Sequence, residues 1–244
     1  SSAVNEVERK TTRRVVGELL WVSLMTRPDL SFEVNRLSSN ISVATIKDLK
    51  DAKRLVERAK DEPMQLKFTY LGPKEHLKIK LFTDASFNNQ DCKLRSTEGR
   101  VLLLGNKKTD KVNVFSWKTK KIVRICRSVK GAETRAIENG LDEAVHYARM
   151  VHEIYSGKTN LKRPQQIEVE AKTDNKSLWE SLHNTRQCEE KLLRNSIALM
   201  KEMMDSNEVK NIEWVETGEM LADTLTKRGG NSSWIRAVIS ENIL

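Results

Sequence analysis

The chain has 244 residues, of which 38% are hydrophobic and 32% are charged, and it carries a net charge of +9. This allows one large domain, or a medium domain with a shorter segment, and it favours a polyanionic partner. No apolar run is long enough to cross a membrane, no signal peptide is visible in the polar first residues, and no membrane partner is expected.

Residues 1–62 are predicted to be mainly helical. An apolar stretch at 15–24 needs a partner surface, and Thr45 with Asp48 has the pattern of a helix start. Apolar residues then recur at helical spacing until Glu62-Pro63. Because this segment has little sequence with which to form its own core, we expect it to pack on a preceding region or on the rest of the chain.

From about residue 64, strands alternate with helices. The predicted strands are 77–84, 101–104 (after a turn at 95–99), 112–117, 167–173 and 212–215, and the predicted helices are 132–155, 176–182, 192–204 and one from about 221 onward. A three-strand meander followed by a crossover helix gives a mixed sheet, in which the strands ending at Asp84 and Asp174 are parallel neighbours. The predicted fold class is α/β, with a five-stranded mixed sheet flanked by helices and an N-terminal helical segment.

Four carboxylates stand at the boundaries of these elements. Asp84 and Asp174 each follow a threonine at the carboxyl end of a strand, where open α/β sheets bind ligands. Glu133 leads the apolar face of a predicted helix, where a buried acid is costly unless a cation pairs with it. Asp223 opens the last predicted helix. Converging carboxylates bind divalent metals, and a paired-metal site is the usual catalyst of phosphodiester cleavage, so the chain is a candidate nuclease.

Each acid also has a simpler explanation. Asp174 and Asp223 could be helix caps, and Glu133 could be an exposed first-turn acid that the helix dipole favours. The functional interpretation depends on all four standing at matching ends of one sheet.

A basic segment at 106–130 supplies much of the positive charge. It contains nine basic residues and one acid, and it ends three residues before Glu133. Such a surface beside the carboxylates could hold a nucleic-acid backbone, and the alternative is a solvated hairpin without a partner.

Six motifs carry a resemblance to a known family. They are 82–86 (FTDAS), 95–101 (RSTEGRV), 116–121 (SWKTKK), 132–136 (AETRA), 173–177 (TDNKS) and 221–227 (LADTLTK). In this order they resemble the ribonuclease H domain of copia-type (Pseudoviridae) retrotransposon polyproteins over about residues 75–230. Residues 20–21 and 26–35 resemble the end of the reverse transcriptase in the same polyproteins. The implied organisation is a thumb-like helical tail at 1–62, a linker at 63–74, a ribonuclease H domain at 75–230 and a C-terminal helix at 231–244.

The resemblance implies a ribonuclease H that cuts the RNA strand of an RNA–DNA hybrid with two Mg²⁺ ions, for which Mn²⁺ can substitute. Asp84 would bridge both ions, with Asp174 and Glu133 on one and Asp223 on the other. The hybrid would be recognised by its shape and 2′-hydroxyls. The residues assigned to nucleic-acid contact are Arg95, Ser96, Lys118, Lys120, Lys121 and Arg124. An upstream reverse transcriptase polymerase domain or subunit would be a partner. The protein would act inside the cell, in the cytoplasm, within virus-like particles or in the nucleus.

Two departures from the family pattern concern turnover and the helix motif. Many ribonucleases H carry a histidine in the loop before the last aspartate, and none occurs at 211–222. The family's Glu-Ala-Glu-Tyr around the helix acid is here Gly131-Ala132-Glu133-Thr134.

Three alternative interpretations differ from ribonuclease H in the acids that they require. Integrases and transposases place their third acid after both aspartates, whereas Glu133 lies between Asp84 and Asp174. Exonucleases of the superfamily have an acid where Ser86 stands. The remaining alternative is a non-catalytic connection or domesticated subunit that binds hybrid and braces a polymerase. No pair of adjacent aspartates, as polymerases require, occurs in the chain.

The cysteines indicate the redox environment of the chain, and the first residue indicates how the chain arises. Cys92, Cys126 and Cys188 are too widely spaced to suggest a zinc site or a disulfide set, so reduced thiols are expected. The chain does not begin with Met, which indicates a processed product or a piece of something longer.

Overall fold

The computed structural model describes residues 3–90, 95–157, 167–185, 188–230 and 232–244. The helices in these ranges are α1 (Glu6–Met25), α2 (Ser31–Ser39), α3 (Ile46–Asp61), α4 (Val129–Ser156), α5 (Lys176–His183), α6 (Arg194–Asp205) and α7 (Ser232–Glu241). The strands are β1 (Leu77–Gln90), β2 (Arg95–Asn106), β3 (Val112–Lys121), β4 (Glu168–Thr173) and β5 (Asn211–Trp214). No helix in this part of the chain is long and apolar enough to cross a bilayer.

The five strands form one mixed sheet in the order β3-β2-β1-β4-β5. The first three make an antiparallel meander, and β4 pairs in parallel with both β1 and β5. The predicted parallel pairing of the two Thr-Asp strands is therefore confirmed. The predicted α/β fold class, a five-stranded mixed sheet with flanking helices and an N-terminal helical segment, is confirmed as well.

Two apolar clusters cover opposite faces of the sheet. On one face, Ile137 and Leu141 of α4 pack in the same cluster as Leu81 of β1, together with α5 and α6. On the other face, Phe82 of β1 and Trp117 of β3 share a cluster with α7. Neighbouring residues of β1 thus point to opposite faces of the sheet.

The N-terminal helices have a small core of their own, although the sequence offers little material for one. Seven buried residues form it: Val16, Leu19, Leu30, Val34, Leu37, Ala52 and Leu55. The predicted helix start at Thr45 is confirmed as a capping box, in which Thr45 and Asp48 bond reciprocally.

The same helices also pack on the sheet, as expected. The indole nitrogen of Trp117 donates to the Ser23 carbonyl of α1 at 2.7 Å. The fully buried Asp29 carboxylate accepts two 2.8 Å bonds from Arg27 and one of 3.0 Å from Arg236 of α7. Because a buried charge is stable only when it is paired, this network ties the N-terminal helices to the end of the chain.

Two predicted elements are wrong. Residues 95–99 are not a turn but the beginning of β2, which is buried along nearly its whole length. The last helix does not start near 221, because residues 223–225 form a single 3-10 turn and α7 begins only at Ser232. Of the three cysteines, Cys126 and Cys188 are buried free thiols, and Cys92 lies outside the described residues.

Candidate metal centre

Asp84 lies inside β1, so the prediction that it ends a strand is wrong. The parallel pairing of β1 with β4 stops at Phe82 and Lys172, whereas the antiparallel pairing with β2 continues and sets Asp84 opposite Gly99. Asp84 therefore stands where β4 leaves β1, at the edge of the sheet where a ligand can enter. Its side chain is only 2% exposed.

Glu133 lies in α4 and reaches β1. The helix begins at Val129 under a Ser128 cap, so Glu133 is not in the first turn, and it is 4% exposed. The alternative of an exposed first-turn acid is therefore contradicted. The backbone N–H of Ala85 donates to Glu133 Oε1 at 3.2 Å, whereas Oε2 has no hydrogen-bond partner among the described residues.

Asp174 follows β4 directly and is held by the loop after β5. The Thr217 hydroxyl donates to Asp174 Oδ2 at 3.1 Å, and the Trp214 indole donates to the Asp174 carbonyl at 3.0 Å. The cap of α5 is Asn175, whose side chain accepts from Leu178 N at 2.9 Å. The alternative that Asp174 is only a helix cap is thus contradicted as well.

These three acids converge. One carboxylate oxygen from each of Asp84, Glu133 and Asp174 lies within 4.8 Å of the others. Burial raises the pKa of Asp84 to about 6, against the opposing effect of Lys227. Burial, followed by the charges of Asp84 and Asp174, raises the pKa of Glu133 well above its usual range. An oxygen set with this excess of buried negative charge suits a hard divalent cation, and the unpartnered Glu133 Oε2 supports that fit.

Asp223 stands outside the three-carboxylate group and joins it through its own turn. Its carboxylate pairs with the Lys227 ammonium, which lies 3.9 Å from Asp84 Oδ2. The Thr226 hydroxyl donates to the same Asp84 carboxylate. Asp223 does not cap α7, because it opens the 3-10 turn at 223–225.

The turn can lie this close because of Gly99. A Cβ at this position of β2 would come within 2.7 Å of the Thr226 methyl and 2.8 Å of Leu225 Cβ. Since Gly99 is opposite Asp84, the missing side chain brings the turn against the strand that carries the central acid.

The predicted basic surface is divided between the two ends of the sheet. Thr119 pairs with Gly99 and so shares a row with Asp84, and the exposed Lys118 and Lys120 lie in the rows on either side of it, two strands away from the acid. In contrast, Lys107 lies at the opposite end, paired with Glu168 at 2.9 Å. The segment is therefore not one surface.

The other residues assigned to nucleic acid also differ in exposure. Arg95 and Arg124 are exposed, and Lys121 is partly exposed near the end of β3. Ser96 is fully buried and does not reach the surface, so its predicted contact with nucleic acid has no support in the structure.

The sequence comparisons agree with the motifs. Over 131 residues the chain is 30% identical to the Retrovirus-related Pol polyproteins from transposons RE1 and RE2 of Arabidopsis thaliana. Its homologues are Pol polyproteins of copia-type retrotransposons. The motif-based recognition is thereby confirmed. Each alignment covers 54% of this chain and 8% of the polyprotein, so the chain spans only a small part of these relatives. A search of family models finds no match.

Solved structures give fainter likenesses. The N-terminal RNase H domain of Rv2228c from Mycobacterium tuberculosis is 18% identical, with 62% of this chain and 91% of that chain covered and a TM-score of 0.42. The prototype foamy virus protease-reverse transcriptase is 12% identical, with 82% and 27% covered and a TM-score of 0.37. The assignment of the fold therefore depends on the strand order and strand pairing of this chain.

Two residues that contact the acids of the site were not predicted to do so. Thr226 and Lys227 belong to the last motif, but the motif implies no role for them. The signal was their distance from Asp223, because a threonine and a lysine three and four residues after an acid can turn back to it within one turn.

Proposed function

We propose that this chain is a metal-dependent ribonuclease H, which cleaves the RNA strand of RNA–DNA hybrids during retrotransposon reverse transcription. The observation that carries the proposal is the convergence of Asp84, Glu133 and Asp174 within 4.8 Å, with one buried oxygen of Glu133 left without a partner. A structural ion-pair network would satisfy such an oxygen, whereas a metal site leaves it available.

The three acids would hold one Mg²⁺ or Mn²⁺ ion, and Asp84 with Asp223 would hold a second. When bound, such ions lower the pKa of water and stabilise charge on the leaving oxygen.

The chain's own contribution is to fix the carboxylates in advance. One donor holds each of the three: the Thr226 hydroxyl holds Asp84, the Ala85 N–H holds Glu133, and the Thr217 hydroxyl holds Asp174. Because the acids are already oriented, metal binding costs little further ordering.

The substrate would lie across the sheet edge, with its backbone against β3. Lys118 and Lys120 are exposed there, in the two rows on either side of the row that includes Asp84. Phosphate contacts of this kind position a duplex without reading its sequence. An upstream reverse transcriptase polymerase domain or subunit would supply the hybrid inside the cell.

The test is cleavage of a labelled RNA–DNA hybrid in Mg²⁺ by the wild-type chain and by Asp84→Asn, with hybrid binding measured in parallel. We expect both proteins to bind and only the wild type to cleave. Equal binding without cleavage by either would favour a non-catalytic module that braces a reverse transcriptase, and it would contradict the proposal.

A further inference from the structure

Lys227 stands between two acids that belong to different parts of the fold. It follows the 3-10 turn at 223–225, and its backbone N–H donates to the Asp223 carbonyl at 3.2 Å. Its ammonium pairs with Asp223 Oδ1 and lies 3.9 Å from Asp84 Oδ2. A single positive charge therefore bridges the acid of the turn and the acid of β1.

The setting holds this ammonium in place. Partial burial alone would lower the pKa of Lys227, but the Asp84 and Asp223 carboxylates outweigh it and raise the pKa. Three further groups face the same space: the carboxylates of Glu133 and Asp174 and the hydroxyl of Thr226. Lys227 is the cation that opposes the raised pKa values of both Asp84 and Glu133.

We propose that, without metal, the Lys227 ammonium occupies the position between Asp84 and Asp223 that a second divalent ion would take, and that this ion binds only when the lysine side chain leaves. The inference rests on the proposed function, because it concerns the same centre. It makes the two ion sites unequal. The site of Asp84, Glu133 and Asp174 accepts an ion directly, whereas the site of Asp84 and Asp223 is in competition with a residue of the chain.

The side chain is suited to such an exchange. Lys227 is 40% exposed, so its ammonium can turn outward into water on a flexible stem. In contrast, Thr226 is fully buried, its hydroxyl donates to Asp84 and its backbone N–H donates to the Asp223 carbonyl at 3.2 Å, so it keeps the turn in place when the lysine moves. An ammonium and a divalent cation cannot share the space, because like charges about 4 Å apart repel even in a water-like dielectric.

The experiment is a Mn²⁺ titration of the full chain without nucleic acid, in which free Mn²⁺ is followed by its electron paramagnetic resonance signal. Lys227→Gln is compared with the wild type and with Lys53→Gln, which removes the same charge from an exposed position of α3. We expect Lys227→Gln to bind a second ion about tenfold more tightly or better, with a smaller gain for the first. Lys53→Gln should match the wild type.

Two further variants separate the effect of the ammonium charge from that of the side-chain stem. Lys227→Met, which keeps the stem without the ammonium, should reproduce the gain, and Lys227→Arg, which keeps the charge, should not. Equal second-ion affinity in the wild type, Lys227→Gln and Lys227→Met would overturn the inference and leave the proposed function standing. If the wild type binds no ion at all, both are overturned.

Discussion

Asp84 is a carboxyl group whose environment favours its neutral form when no metal is bound. Its pKa is raised by burial from the ordinary 3.8 to about 6. The folded chain therefore binds a proton more tightly than the unfolded chain does. The stability that comes from this protonation is fully present below about pH 4 and is lost as the pH rises through about 6.

We therefore predict that Asp84→Asn stabilises the metal-free chain relative to the wild type, and that this advantage grows by about 2 kcal/mol between pH 4 and pH 7. The measurement is denaturant unfolding with EDTA across that pH range. Asp142→Asn, at an exposed position of α4, controls for the loss of a carboxylate. An advantage of Asp84→Asn that does not change with pH would contradict this account of the site.

At the scale of single residues, the acids of the site could be predicted from the sequence, but their hydrogen-bond partners could not. Asp84, Glu133 and Asp174 could be found because the two aspartates each follow a threonine after an apolar strand pattern and Glu133 leads an apolar helix face. That Ala85 N–H binds Glu133, or that Thr226 binds Asp84, depends on pairs of residues that are 48 and 142 positions apart. No local pattern encodes such contacts.

One of the two mispredicted elements is buried although its residues are polar. The beginning of β2 contains Ser96, Thr97 and Glu98, which resemble a turn in sequence but are fully or almost fully buried. The partner of Glu98 comes from elsewhere in the chain, since Asn139 of α4 donates to the Glu98 carboxylate at 2.8 Å. A strand covered on both faces by polar contacts lacks the apolar alternation by which strands are recognised.

The stretch before α7 was mispredicted for the opposite reason, because its buried residues are apolar. Leu221, Ala222 and Leu225 have helical spacing and are buried, but they are buried as a loop with one 3-10 turn. Gly229 and Gly230 separate that turn from α7 and were the available signal.

Strand β3 supports a prediction about substrate binding. Lys120→Glu combined with Lys121→Glu should weaken binding of an RNA–DNA hybrid and reduce the slope of log affinity against log salt by about two, because each lost phosphate contact removes roughly one counterion. Filter binding or fluorescence anisotropy at several salt concentrations measures both quantities.

The basic residues at the other end of the sheet supply the matched control. Lys108→Glu with Lys111→Glu makes the same change of charge at exposed positions far from Asp84. If both pairs weaken binding equally, net charge alone is responsible and the assignment of β3 is refuted.

At the scale of the whole molecule, the N-terminal helices and the sheet are joined next to the candidate centre. The Asn35 side chain of α2 donates to the Thr119 carbonyl at 3.0 Å, and the Thr119 hydroxyl donates to the Leu225 carbonyl at 3.0 Å. The helices thus contact the strand that supports the turn of Asp223. The domain limits at 62 and 75 stay a prediction, and these contacts show that the segments on either side of them pack together.

The organisation of the chain was the most predictable level. The alternation of strands and helices fixes a meander followed by a crossover, and the handedness of such crossovers leaves few arrangements of the sheet. The contact between α7 and the N-terminal helices was not predictable, because the Arg236–Asp29 pair joins residues 207 positions apart.

The most direct test of the central claim is which strand is cut, and by which residues. Two RNA–DNA hybrids, one labelled on the RNA and one on the DNA, are incubated with the wild type and with Glu133→Gln, in Mg²⁺ and in EDTA. We predict fragments of the RNA strand alone, from the wild type alone and only with Mg²⁺. Cleavage that persists in Glu133→Gln or in EDTA, or a DNA strand cut as readily as the RNA, would contradict the assignment of a metal-dependent ribonuclease H centre to these carboxylates.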